Sequence, residues 1–192
     1  MKKIVSVVLA LTLALSLAAC GGKKAEVTTP PVQEVPASAV EILEKTWAEY
    51  AESEKFAIVG GNVEAGIMDA PANYDMAYAE NMTYSLLVPT DQIPNVAEAA
   101  SMIHMMNANT FTCGVFRMAE GASVGDFAAA MEAAIQGNMW MCGFPESLLI
   151  KDIAGEYVLV AFGLNDTMTT FENRLNENYP DAEVLYSEPI GG

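Results

Sequence analysis

Residues 110–187 switch back and forth between two hydrophobic periods, and the order of those switches restricts the available folds more than any other feature of the chain. From Thr110 to Met118, Phe111, Cys113 and Val115 alternate with Thr112, Gly114 and Phe116, which is the period of a strand. Ser123 and Asp126 then open a helical stretch in which Phe127, Ala130, Met131, Ala134 and Ile135 share one face, ended by Gly137-Asn138. After a loop at 139–145, Ser147–Ile153 and Glu156–Gly163 read as two strands joined through Ala154-Gly155, a hairpin signal. Asn165 or Asp166 starts a further helix with Met168, Phe171 and Leu175 inward, stopped at Tyr179-Pro180-Asp181, and Ala182–Ser187 reads as a closing strand. Strand, helix, strand, strand, helix, strand is the order of the ferredoxin-like split βαβ arrangement, an α+β fold with an antiparallel sheet. Its two helices share one face of the sheet, so the opposite face is expected to meet N-terminal helices or a partner.

Upstream, Ser38 and Glu41 form a capping box ahead of Val40, Leu43, Trp47 and Tyr50 on one helical face. Phe56–Asn81 is irregular, with a strand expected near Phe56–Val59, and Tyr84–Pro89 reads as a short extended segment. Asn95–Asn107 reads as a helix, which would align Met102, Met105 and Met106 and turn His104 elsewhere. Residues 37–192 are thus expected to form a single α+β domain, long enough to bury a core without a metal or a disulfide.

The charge of that domain narrows its partners. Lys45, Lys55, Arg117, Lys151 and Arg174 stand against 23 acids, a net charge of −18 over residues 37–192. Such a surface repels phosphate backbones and anionic lipid heads, which argues against nucleic acid and against direct docking on a membrane. The acids are scattered singly, as solubility alone would have them, and no calcium-binding loop pattern occurs.

Met1-Lys2-Lys3 and the apolar run Ile4–Leu17 have the layout of an export signal, with a run too short for a stable membrane span. The run closes in Leu17-Ala18-Ala19-Cys20-Gly21, which resembles the lipobox of bacterial lipoproteins. The resemblance implies removal of residues 1–19 as a signal peptide and attachment of lipid to the Cys20 thiol. The membrane would then be contacted through buried acyl methylenes, each contributing roughly 0.8 kcal/mol. Residues 20–36, rich in Pro, Thr and small residues, read as a flexible tether.

Together with that start, Tyr84-Ser85-Leu86-Leu87-Val88-Pro89, the helix at Ser123–Gln136 and the strand Gly155-Glu156-Tyr157-Val158-Leu159 resemble a family of small uncharacterised lipoproteins. The family is a domain of unknown function in Gram-positive, largely anaerobic bacteria. The resemblance implies a protein held at the outer face of the cytoplasmic membrane, and it brings no catalytic residues.

The remaining constellations have plain structural readings beside any functional one. Cys113 and Cys142 either form a disulfide or are two small buried hydrophobes. Met102, His104, Met105 and Met106, with Met139-Trp140-Met141-Cys142, include the soft ligands that suit Cu(I), and equally the methionines of a core or of a pliable contact surface. Pairs such as Asp69 and Asp75, or Glu146 and Asp152, offer an acid and a base only as any acid-rich chain does, and G-x-S-x-G is missing. The expected function is therefore a lipid-anchored, non-catalytic binding or interaction module that needs no cofactor. Its partner would be a protein, a small molecule or a second copy, met on the sheet face or the Met68–Tyr84 loop. Cu(I) handling through His104 and the methionines, and hydrolysis by scattered carboxylates, are the alternatives.

Overall fold

Alternation in the central strands places large apolar side chains on both sides of the sheet, so both sides need cover. The computed structural model describes residues 35–62 and 65–191, all within one compact unit. The signal peptide, Cys20 and the tether up to residue 34 lie outside the described residues. Among the described residues the strands are β1 (Ile58–Gly60), β2 (Ile67–Met68), β3 (Ala72–Asn73), β4 (Val96–His104), β5 (Phe111–Met118), β6 (Ser147–Ile153), β7 (Tyr157–Gly163) and β8 (Glu183–Pro189). The helices are α1 (Ala39–Ala48), α2 (Met82–Ser85), α3 (Val124–Gln136) and α4 (Asn165–Asn178). None is long and apolar enough to cross a membrane.

All strand pairs are antiparallel, and the sheet runs β2-β1-β4-β5-β7-β6-β8, with β3 also on β4. The α+β class and the antiparallel sheet stand as expected, but the ferredoxin-like order does not form. That order would set β8 beside β5; instead β4 occupies that edge of β5 and β8 pairs with β6. The cause is Val96–His104, expected as a helix and found as a strand. Its Ala and Met residues favour helix, yet it is held between β5 on one side and β1 and β3 on the other, where pairing overrides propensity. Tyr84–Pro89 is likewise not extended throughout, since Tyr84 and Ser85 end the short α2.

This change of order redirects the helices. Both β5-α3-β6 and β7-α4-β8 step over one antiparallel strand, in the same direction across the sheet but from strands of opposite sense. Right-handed crossovers then place α3 and α4 on opposite faces. The buried clusters agree. Phe127, Met131 and Ile135 of α3 pack with Phe116, Ile150, Val158, Val160 and Phe162. Met168, Phe171 and Leu175 of α4 join Ile42 and Leu43 of α1 over Phe111, Cys113, Leu149, Leu159 and Ala161. The uncovered sheet face expected from the sequence does not exist: every residue of β7 is buried.

Aromatic pairs fix each layer, Phe116 with Phe127 at 5.2 Å and Phe111 with Phe171 at 5.1 Å, each adding about 0.5–1.5 kcal/mol beyond its buried area. Gly114 makes room for the first pair, because a Cβ there would lie 2.6 Å from the Phe116 ring.

The sheet has two distinct ends, separated by the roughly 25 Å length of β5. At one end the Tyr157 hydroxyl donates to the Pro36 carbonyl (3.0 Å) and the Ala39 N–H donates to Glu98 (2.8 Å), which also holds Arg117 (2.9 Å). The chain joins the domain at this entry pole. The opposite, distal pole gathers the β4–β5 loop, the segment from α3 to β6, and the joint between β7 and α4.

Candidate binding surface at the distal pole

Two loops that are far apart in sequence are stitched together at the distal pole by asparagines. Asn107 Nδ2 donates to the Cys142 carbonyl (3.0 Å), and Asn109 Nδ2 donates to the carbonyls of Met141 (2.8 Å) and Gly143 (2.9 Å). Cys142 and Gly143 both have positive φ, 62° and 129°, so the chain reverses sharply at the point the asparagines hold. Trp140 anchors the loop against Phe162 at 5.4 Å, and its indole N–H is buried with no acceptor among the described residues.

The side chains around this seam face water. Met106 is 77% exposed, Met139 89%, Met141 78% and Phe144 65%, and Met105 is exposed beside them. Neither 105–110 nor 137–145 contains a charged residue. Large side chains of this kind normally complete a core; here they stand on two loops that the asparagines hold side by side, all of them neutral and polarizable.

A cleft of about 320 Å³ continues that surface, lined by Val59, Ser85, Ile103, His104 and Met105, with the exposed Tyr84 at its lip. His104 stacks on Phe56, ring centroids 5.3 Å apart, and its Nδ1 accepts the backbone N–H groups of Met106 (3.3 Å) and Asn107 (3.2 Å). A neutral imidazole has one free lone pair, and these two bonds commit it to shaping the β4–β5 loop. With Nδ1 so engaged, Nε2 is the ring nitrogen left for any other contact.

Electrostatics set this surface apart from the rest of the domain. Each of the five basic side chains is already ion-paired: Lys45 with Glu41, Lys55 with Glu52, Arg117 with Glu98, Lys151 with Glu172, and Arg174 with Glu54 and Glu177. None of them reaches Glu146, Asp166 or Glu188, which stand around the distal pole. Glu146 instead accepts the Asn165 backbone N–H (2.8 Å), so a carboxylate from the loop before β6 serves the start of α4, where the sequence pointed to Asn165 or Asp166 as the cap.

No protein-family model, curated protein or solved structure matches this chain. Functional inference therefore rests on the chain's own chemistry.

The residues singled out from the sequence are distributed as follows. Cys20 lies outside the described residues. Cys113 and Cys142 are not brought together: both are free thiols, Cys113 buried in the core, where desolvation pushes its thiol up, and Cys142 exposed on the distal loop. Cys113 points into the layer beneath α1 and α4, while the asparagine bonds hold the Cys142 loop out over the sheet end. Met102 is in the core, separated from Met105 and Met106, because β4 alternates where a helix would have aligned them. Among the described residues no three of His, Cys, Asp and Glu cluster as metal ligands do.

The carboxylates have local structural work. Asp75 accepts from Ala77 N–H at the start of the turn Met76–Asn81, and Asp152 accepts from Gly155 N–H in the hairpin. Glu146 and Asp152 sit at opposite ends of β6, roughly 20 Å apart, too far to share one reacting group. Sequence reading missed the meeting of the two methionine loops. The signal available was that 105–110 and 137–145 are both apolar and charge-free, and both carry asparagine or glycine at the turns.

Proposed function

We propose that this protein is a lipid-anchored extracytoplasmic binding module, without catalytic chemistry of its own, that presents the methionine-rich distal pole to a partner. The observation that carries the reading is the placement of that surface. Four exposed methionines and Phe144 are held in position by Asn107 and Asn109 at the end of the sheet opposite to the one where the chain enters. The chain enters the described domain at the opposite pole, which leaves the distal pole clear of the proposed anchor, and the negative charge of the domain disfavours its lying down on anionic lipid. Methionine suits such a task because its flexible thioether adapts to a partner's shape at little cost.

The test is site-specific photocrosslinking in the native envelope, with the photoreactive residue at Met106 or Met141 and, for comparison, at Glu120 near the entry pole. The reading requires a discrete product from the two distal positions and none from Glu120. Equal labelling from all three, or none from the distal pair, would sink it.

A further inference from the structure

The chemistry of the distal pole also specifies the class of its partner, on the footing that the pole is a binding surface. The centre is apolar and neutral: Met105, Met106, Met139, Met141 and Phe144 on segments without a single charge, continued by the cleft under Tyr84. The border is acidic and has no cation to offer. Glu146 and Asp166 are exposed, Glu188 meets Gln136 and its neighbour Glu132, and all five basic side chains of the domain are tied to other carboxylates. An anionic partner would meet repulsion with no compensating contact, and a purely polar one would leave the methionines in water.

We infer that the distal pole binds a basic amphipathic peptide segment, its apolar face on the methionines and its Lys or Arg residues over the surrounding acids. Two features fit this occupant and not a membrane. An anionic bilayer carries the same sign as the border, and the pole is at the far end of the sheet from the chain's entry. The shape requirement is modest. A helix of about 14 residues is roughly 21 Å long, a length that exposed, flexible methionines can follow at i, i+3, i+4 and i+7 anchor positions without a preformed groove.

The experiment uses the full chain with Cys20→Ser, labelled with 13C at its methionine methyls. Three synthetic helical peptides of equal length are titrated: Lys/Leu amphipathic, Glu/Leu amphipathic with the same apolar face, and Lys/Ser with the same charge and no apolar face. The expected result is saturable binding of Lys/Leu that shifts the methyls of Met105, Met106, Met139 and Met141 while leaving buried Met102 and Met131 in place. It should weaken at least tenfold in a Met106→Gln, Met141→Gln, Phe144→Ser variant, and weaken with added salt. Because those three side chains are exposed, that variant keeps the wild-type fold, which its remaining methyl spectrum checks. Equal binding of Glu/Leu would overturn the basic partner while leaving an apolar binding surface. Equal binding of Lys/Ser would reduce the effect to net charge and overturn the amphipathic one. Lys/Leu binding that leaves the distal methyls unmoved would overturn both the peptide assignment and the surface on which it rests.

Discussion

Cys113 and Cys142 differ in both of the properties that govern thiol chemistry, access and solvation. Burial raises the Cys113 thiol and shields it within β5, whereas Cys142 is exposed on the loop held by Asn107 and Asn109. Native Cys20→Ser protein treated with iodoacetamide should therefore gain one adduct, mapped to Cys142, with Cys113 reacting only after denaturation. A mass lower by two hydrogens before reduction, with neither thiol reactive, would show the pair bonded and this packing wrong. A second residue-scale consequence concerns Glu132, whose carboxyl is raised by burial first and then by the neighbouring Glu188. A raised carboxyl value means that the folded state holds the proton more tightly than the unfolded chain. The stabilisation is complete below the ordinary value near 4.5 and is lost as the pH rises through the folded one. Glu132→Gln should raise Tm at pH 7 and lose that advantage near pH 4; an unchanged Tm at pH 7 would show that the two carboxyls do not interact.

At the scale of single elements, the hairpin between β6 and β7 shows what could be read in advance. The hairpin forms where Ala154-Gly155 announces it, both residues with positive φ, 60° and 73°, but Ile153 pairs with Tyr157, so Glu156, expected as the first strand residue, belongs to a three-residue connection. Ala154 is strained there where asparagine would be at ease. Ala154→Asn should stabilise the domain by about 0.5–1 kcal/mol in denaturant unfolding, and a loss of stability would mean that the turn is of another type. The helix α3, with Ser123 accepting from Asp126 N–H at 3.2 Å, and the inward row Met168, Phe171 and Leu175 of α4 were equally legible, since local period and capping determine them. Val96–His104 was not. Its residues carry a helical preference, and only the flanking strands, distant in sequence, make it extended. That one misreading carried two others with it: the place of β8 in the sheet, and the alignment of Met102 with Met105 and Met106. The distal surface was legible in composition, as two neutral methionine-bearing loops, and not in position. Its assembly depends on the hydrogen bonds from Asn107 and Asn109 across more than thirty residues of sequence, with separations of 35, 32 and 34.

For the molecule as a whole, strand order turns into polarity. Because β4 covers the outer edge of β5, α3 and α4 take opposite faces, both faces of the sheet close, and Met105, Met106, Met139, Met141 and Phe144 stand exposed at one end, while Val35, Ile67, Met68, Tyr78 and Val184 are exposed elsewhere. The other end receives the chain at Pro36 and Ala39. The proposed anchor and the proposed binding surface thus lie at opposite poles, an opposition that follows from the strand order. It is tested most directly by energy transfer from the protein to a membrane surface. The full lipidated chain is reconstituted in zwitterionic liposomes bearing a headgroup acceptor, with the donor dye on the native Cys142 or, in a Cys142→Ser background, on Glu120→Cys. Transfer should be weaker from position 142 than from position 120, as expected for sites separated by about the length of β5, roughly 25 Å. Equal or stronger transfer from position 142, or a chain that does not stay with the liposomes, would contradict the account.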